Sequence, residues 1–110
     1  MKIFYIFLIL FGITTIADEF IVIDVRTSEE FNAGHIEESS NVEWQNISSI
    51  IDKVKKDQKI YLYCRSGNRS GKATKILIDL GYKDVTNLGS IQSASEKLGK
   101  EIINFQQNIQ

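Results

Sequence analysis

The chain has 110 residues, 43% of them apolar, and carries 13 Lys and Arg against 14 Asp and Glu for a formal net charge of −1. That is one domain's worth of chain, with enough apolar content for a core and no room for a second domain. The near-neutral balance excludes the strongly basic surface of a nucleic-acid binder, and one histidine with one cysteine is too few ligands for a structural zinc site.

At the N-terminus, Met1-Lys2 precedes an almost unbroken apolar stretch over residues 3–13, and Thr15-Ile16-Ala17 offers small residues at the −3 and −1 positions of a cleavage site. Residues 1–17 therefore read as a cleaved signal peptide and residues 18–110 as the mature domain. The apolar stretch is shorter than the ~20 residues of a spanning helix, which argues against an uncleaved anchor. The expectation is an exported protein, periplasmic if the source is a Gram-negative bacterium, with no stable membrane association after cleavage.

From Phe20, the run Phe-Ile-Val-Ile-Asp-Val-Arg reads as a first strand buried on both faces. Thr27 stands three residues before Glu30, the spacing of a capping box, and predicts a short helix stopped at Gly34. A short strand is expected around Ser40 to Glu43. Ile47, Ile50, Ile51 and Val54 then recur at helical spacing and predict an amphipathic helix ending at Lys55-Lys56-Asp57. Ile60 to Cys64 is the next strand, and Arg69 to Leu80 a helix with Gly81 as its C-terminal cap. A strand over Val85–Asn87 follows, then a helical tail from Ile91 to Gln110 with a break at Gly99. Strands alternating with helices define an α/β fold: a small, mostly parallel sheet flanked by helices on both faces. In such sheets ligands sit beyond the carboxyl ends of the strands.

Cys64 falls at such an end, followed by Arg65-Ser66-Gly67-Asn68-Arg69-Ser70 and a helix N-terminus. A loop of this kind aims several backbone N–H groups and the positive end of a helix dipole at one point. The thiolate is the nucleophilic form of cysteine, and such surroundings lower its pKa from about 8.5. A lone cysteine in an exported chain, flanked by arginines and glycine, reads as a reactive thiol and not as an inert core residue.

The ordered set Asp24-Val25-Arg26, Glu30-Phe31-Asn32-Ala33-Gly34-His35-Ile36 and Cys64-Arg65-Ser66-Gly67-Asn68-Arg69 resembles the rhodanese family of sulfurtransferases, from Phe20 to about Gly89. The resemblance implies a rhodanese-like domain in which Cys64 carries sulfur as a persulfide, as a thiosulfate sulfurtransferase or, alternatively, as a non-enzymatic sulfane-sulfur carrier or sensor; a cysteine-dependent phosphatase or arsenate reductase is the third reading. It implies as partners a small anionic donor such as thiosulfate and a cyanide, thiol or protein acceptor, with no cofactor, no metal and a monomeric state. Related phosphatases have a loop one residue longer, with arginine six positions after the cysteine; here Arg69 stands fifth and Ser70 sixth.

Cys64 is the expected nucleophile, and Arg65, Ser66, Gly67, Asn68, Arg69 and Ser70 form the expected substrate-binding loop. Arg65 should meet the donor's sulfonate oxygens, whereas Arg69 either does the same or pins the loop by hydrogen bonding. Gly67 should supply a positive φ or a close approach. Asp24 and Arg26 are expected to pair and support the loop from behind, and His35 to be structural. After Asn87-Leu88-Gly89 the family usually has a second glycine; Ser90 stands here instead, and either narrows the approach to Cys64 or caps the following helix.

Overall fold

Residues 19–104 are described by a computed structural model. The expected signal peptide and the last residues of the tail lie outside the described residues. The first strand, β1 (Phe20–Asp24), is followed by the short helix α1 (Ser28–Ala33). Its N-terminus is the expected capping box: the Glu30 N–H donates to Thr27 Oγ1 at 3.1 Å, and the Thr27 N–H donates to Glu30 Oε1 at 3.0 Å. Two short strands, β2 (His35–Ile36) and β3 (Ser40–Asn41), come next.

The segment predicted as an amphipathic α-helix is a 3₁₀ helix over Trp44–Asp52. Trp44, Ile47 and Ile50 fall three apart and stack on one face, which suits three residues per turn; Ile51, which an α-helix would share with that face, is 45% exposed. Beyond it lie β4 (Lys59–Cys64), α2 (Asn68–Asp79), β5 (Asp84–Ser90) and α3 (Ile91–Leu98). Ser90 caps α3, accepting the Ser93 N–H at 3.1 Å. Gly99 ends that helix as expected, but the tail then turns into β6 (Ile102–Ile103), antiparallel to β2, instead of continuing as helix. A pair of β-branched isoleucines there finds a strand edge to pair with, which local periodicity does not reveal.

The main sheet has the order β3-β1-β4-β5 with every pairing parallel. Alternation along β4 divides its side chains between two cores. Ile60, Leu62 and Cys64 face the 3₁₀ helix and α2, in a cluster with Ile23, Ile47, Ile50 and Leu77. Tyr63 faces the other way, toward α3, with Val22, Ile36, Leu88 and Ala94. The sulfur of Cys64 therefore points to the side on which α2 begins.

Candidate active site

Cys64 is the last residue of β4, and the chain reaches α2 through Arg65-Ser66-Gly67 alone. So short a connection needs a left-handed residue, and Gly67 provides it at φ 96°. Gly67 is the N-cap of α2, but it has no side chain with which to accept the first N–H groups of the helix. Cys64 Sγ takes that role. It accepts the Gly67 N–H at 3.0 Å, the Ser70 N–H at 3.4 Å and the Ser70 hydroxyl at 3.3 Å.

The residue is fully buried, unlike Arg65, Ser66 and Asn68 in the more open part of the loop. Burial pushes the thiol pKa up, but the Ser70 hydroxyl and the N–H groups of Ser70, Ser66 and Gly67 together outweigh it, and the net direction is down. The helix N-terminus and the sulfur thus satisfy each other.

The two loop arginines differ. Arg69 grips Glu30 of α1 with both terminal guanidinium nitrogens, at 2.6 and 3.0 Å. This contact ties the loop to α1, with Glu30 as the anchor. Arg65 is exposed and has no hydrogen bond or ion pair among the described residues. It borders a cavity of about 500 Å³ with Arg26, Glu30, Ile91, Gln92 and Ile102 in its wall.

Asp24 and Arg26 pair as expected. Arg26 Nη2 lies 2.7 Å from Asp24 Oδ2 and Nε 3.0 Å from Oδ1, and the Arg26 N–H donates to Oδ1 at 2.9 Å. The same Nη2 donates to the Gly34 carbonyl at 2.6 Å, so the pair ties the end of β1 to the end of α1. His35 stacks on Phe31 with centroids 3.8 Å apart and bonds the Phe31 carbonyl through Nδ1 at 2.8 Å. It is occupied in the fold and not in the loop.

Two residues at this site carry no sequence signal for their part in it. Glu30 reads as a helix cap, but its second role as the Arg69 anchor spans 39 positions and leaves no local trace. Asn87 on β5 pairs with Leu62 and lies two residues after Val85, so alternation puts it on the face of the sheet shared by Leu62, Cys64 and α2; beyond it β5 bulges, and Cys64 pairs with Ser90. The side chain of Asn87 donates to the Gly67 carbonyl at 3.1 Å and accepts the Ser70 hydroxyl at 2.7 Å. Gly89, also at positive φ, packs its Cα 3.3 Å from where a Cβ on Gly67 would stand.

A parallel sheet whose interior strand ends in a cysteine, with that sulfur accepting from the loop and first turn of the next helix, is an arrangement able to stabilise an anionic sulfur. Comparison with known proteins places it further: residues 14–97 match the rhodanese-like domain, and the chain belongs to that family. It is 31% identical over 72 residues to thiosulfate sulfurtransferase PspE of Escherichia coli, covering 64% of this chain and 69% of that protein. It is 34% identical over 91 residues to an adenylyltransferase and sulfurtransferase of Candida albicans, covering 74% of this chain and 21% of that protein. A solved rhodanese with anions from E. coli superposes with a TM-score of 0.69 at 25% identity, over 78% of this chain and 99% of that one. The chain spans about a fifth to a half of the length of several curated relatives it matches.

Proposed function

We propose that the protein is a sulfurtransferase that moves sulfane sulfur from thiosulfate to cyanide, a small thiol or a protein thiol through a persulfide on Cys64. The observation that carries this reading is the sulfur itself, buried and held by Gly67 N–H, Ser70 N–H and the Ser70 hydroxyl within 3.4 Å. Donors fixed around a developing sulfur anion act as an oxyanion hole does, because they need no reorganisation when the charge appears.

In the first step the Cys64 thiolate attacks the outer sulfur of thiosulfate, the S–S bond of the donor breaks, and sulfite leaves with its electron pair. Cys-S⁻ and S₂O₃²⁻ become Cys-S-S⁻ and SO₃²⁻. In the second step an acceptor such as cyanide takes the outer sulfur as thiocyanate and returns the thiolate. The order is ping-pong, as for any covalent intermediate of this kind. Arg65 meets the sulfonate oxygens at the mouth, and the backbone of residues 65–70, including Ser66 and Asn68, lines the approach. Asp24 and Arg26 hold the strand end behind the loop. Residues 1–17 direct export; N-terminal sequencing of protein recovered outside the cytoplasm, starting at Asp18, checks that part.

Intact mass spectrometry before and after thiosulfate, followed by cyanide and a colorimetric thiocyanate assay, tests the chemistry. A gain of about 32 Da, its loss on adding cyanide, repeated turnover, and the absence of all three in Cys64→Ser are expected. Sulfur loading without turnover would make the protein a sulfur carrier instead, and thiocyanate production by Cys64→Ser would refute the mechanism.

A further inference from the structure

Ser70 is fully buried, its hydroxyl has one proton, and two acceptors compete for it: Asn87 Oδ1 at 2.7 Å and Cys64 Sγ at 3.3 Å. The orientation of the Asn87 amide is settled by its neighbours. The Gly89 N–H donates to Oδ1 at 2.9 Å and the Gly67 carbonyl accepts from Nδ2 at 3.1 Å, so a flipped amide would set donor against donor and acceptor against acceptor. Oδ1 is therefore fixed as an acceptor beside the Ser70 hydroxyl.

The charge on Sγ changes during the sulfur transfer proposed above, and this inference rests on that reading. As a thiolate, Sγ is anionic and the best acceptor near Ser70, because hydrogen bonds to ionised groups are stronger than neutral ones. As a thiol, or as the inner sulfur of a persulfide, Sγ is a weak acceptor, and the buried proton needs another partner.

We propose that Asn87 is a positioning residue that supplies this second acceptor, so that the Ser70 hydroxyl turns to Cys64 when the sulfur is anionic and to Asn87 when it is not. In the persulfide the negative charge has moved one atom outward, into the N–H groups of the loop, and the hydroxyl returns to Asn87. The register of β5, with Asn87 beside Leu62 on the α2 face of the sheet, puts the amide within reach. The charged groups around the sulfur are Arg65 on the loop, Arg69 on α2 with Glu30 on α1, and Asp24 with Arg26 at the end of β1. Ser70 and Asn87 carry no charge, so the device works by turning one hydroxyl rather than by titrating a second group.

The test is a double-mutant cycle read on the thiolate. The pH dependence of iodoacetamide alkylation of Cys64 gives its ionisation midpoint in the wild type, Asn87→Leu, Ser70→Ala and the double variant of the full chain. Asn87→Leu also removes the brace on Gly67, and that loss is the same whether or not Ser70 has a hydroxyl. With Ser70 present, the leucine leaves the hydroxyl only the sulfur to bond, so the Asn87→Leu midpoint change should lie at least half a pH unit lower than the change in the Ser70→Ala background, about threefold in the thiolate-to-thiol ratio at a fixed pH. Equal changes in the two backgrounds would make Asn87 a brace and overturn the proposal.

Should Asn87→Leu fail to fold, the near-isosteric Asn87→Asp serves in the same cycle with the opposite sign. The carboxylate holds the hydroxyl proton more strongly, so the midpoint should rise more with the Ser70 hydroxyl in place than in the Ser70→Ala background; an equal rise overturns the proposal. Alkylation needs no sulfur donor, so this result stands apart from thiosulfate loading: a coupled midpoint with no gain of mass from thiosulfate would fault the sulfurtransferase reading and not the hydroxyl switch.

Discussion

Replacing Glu30 with glutamine isolates the ion pair that fastens the cysteine loop to α1. Glutamine is accepted at this position of a capping box, so the bonds to Thr27 persist while the negative charge facing Arg69 is removed. The Arg69 guanidinium, together with the Thr27 N–H and hydroxyl, holds the Glu30 carboxyl at about 2 instead of its ordinary 4.5, against a smaller upward push from burial. At about 1.36 kcal/mol per pH unit this sets a ceiling of ~3.4 kcal/mol. Both side chains are more than a quarter exposed, at 27% and 29%, so solvent screens the pair, and a bidentate contact of this exposure should contribute about 1–1.5 kcal/mol.

Because the folded-state pKa is depressed, that stability is fully present above about pH 4.5 and is lost as the pH falls from there toward 2. Urea unfolding of wild type and Glu30→Gln at pH 7, 5, 4 and 3.5 should show a difference of about 1–1.5 kcal/mol at the upper two values that narrows at the lower two. A zero difference at pH 7, or one that is constant with pH, would refute the role of the Glu30 charge.

Arg65→Ala should raise KM for thiosulfate by about tenfold, near the worth of one charge-assisted bond, and leave a neutral sulfur donor such as a dialkyl trisulfide little changed; equal losses with both donors would remove its role in anion binding. Gly67→Ala places a side chain at φ 96° and a Cβ 3.3 Å from the Gly89 Cα. It should cost about 1–2 kcal/mol in urea unfolding and shift Cys64 alkylation to higher pH as the N–H leaves the sulfur. Asp24→Ala leaves the 7%-exposed Arg26 without its counter-ion. Thermal and urea unfolding should show a loss of about 3–5 kcal/mol, the most damaging of these changes.

Chain order and alternation were enough to read β1, α1, β4, α2 and α3, because each is signalled locally by a cap, a glycine stop or an apolar run. The same alternation gives the direction of Cys64, since residues 60, 62 and 64 of a strand must share a face. What could not be read depends on contacts distant in sequence. The Trp44–Asp52 helix winds as 3₁₀ because its buried residues fall three apart against the sheet, a spacing that a 3.6-residue pattern resembles over so short a span. β6 exists because β2 offers it an edge. Glu30 and Asn87 join the site from 39 positions before Arg69 and 17 after Ser70, and only the fold brings them in.

The length of the loop and the fate of its fifth and sixth residues decide what kind of anion it suits. A tetrahedral phosphate is held well by a guanidinium fork lying across its oxygens. Here the fifth residue, Arg69, has committed both nitrogens to Glu30, and the sixth, Ser70, is buried with its hydroxyl shared between Cys64 and Asn87. An arginine in place of Ser70 would have to displace Asn87 and lose the bonds that fix Gly67 and Gly89. The loop therefore directs N–H groups and one hydroxyl at the sulfur, leaves Arg65 exposed and unpaired among the described residues, and has the terminal nitrogens of its other arginine bound to Glu30. On the proposed mechanism, that arrangement suits a single soft, singly charged sulfur seated on Cys64 better than a tetrahedral phosphate, because N–H groups and one hydroxyl, and not a guanidinium fork, meet the anion.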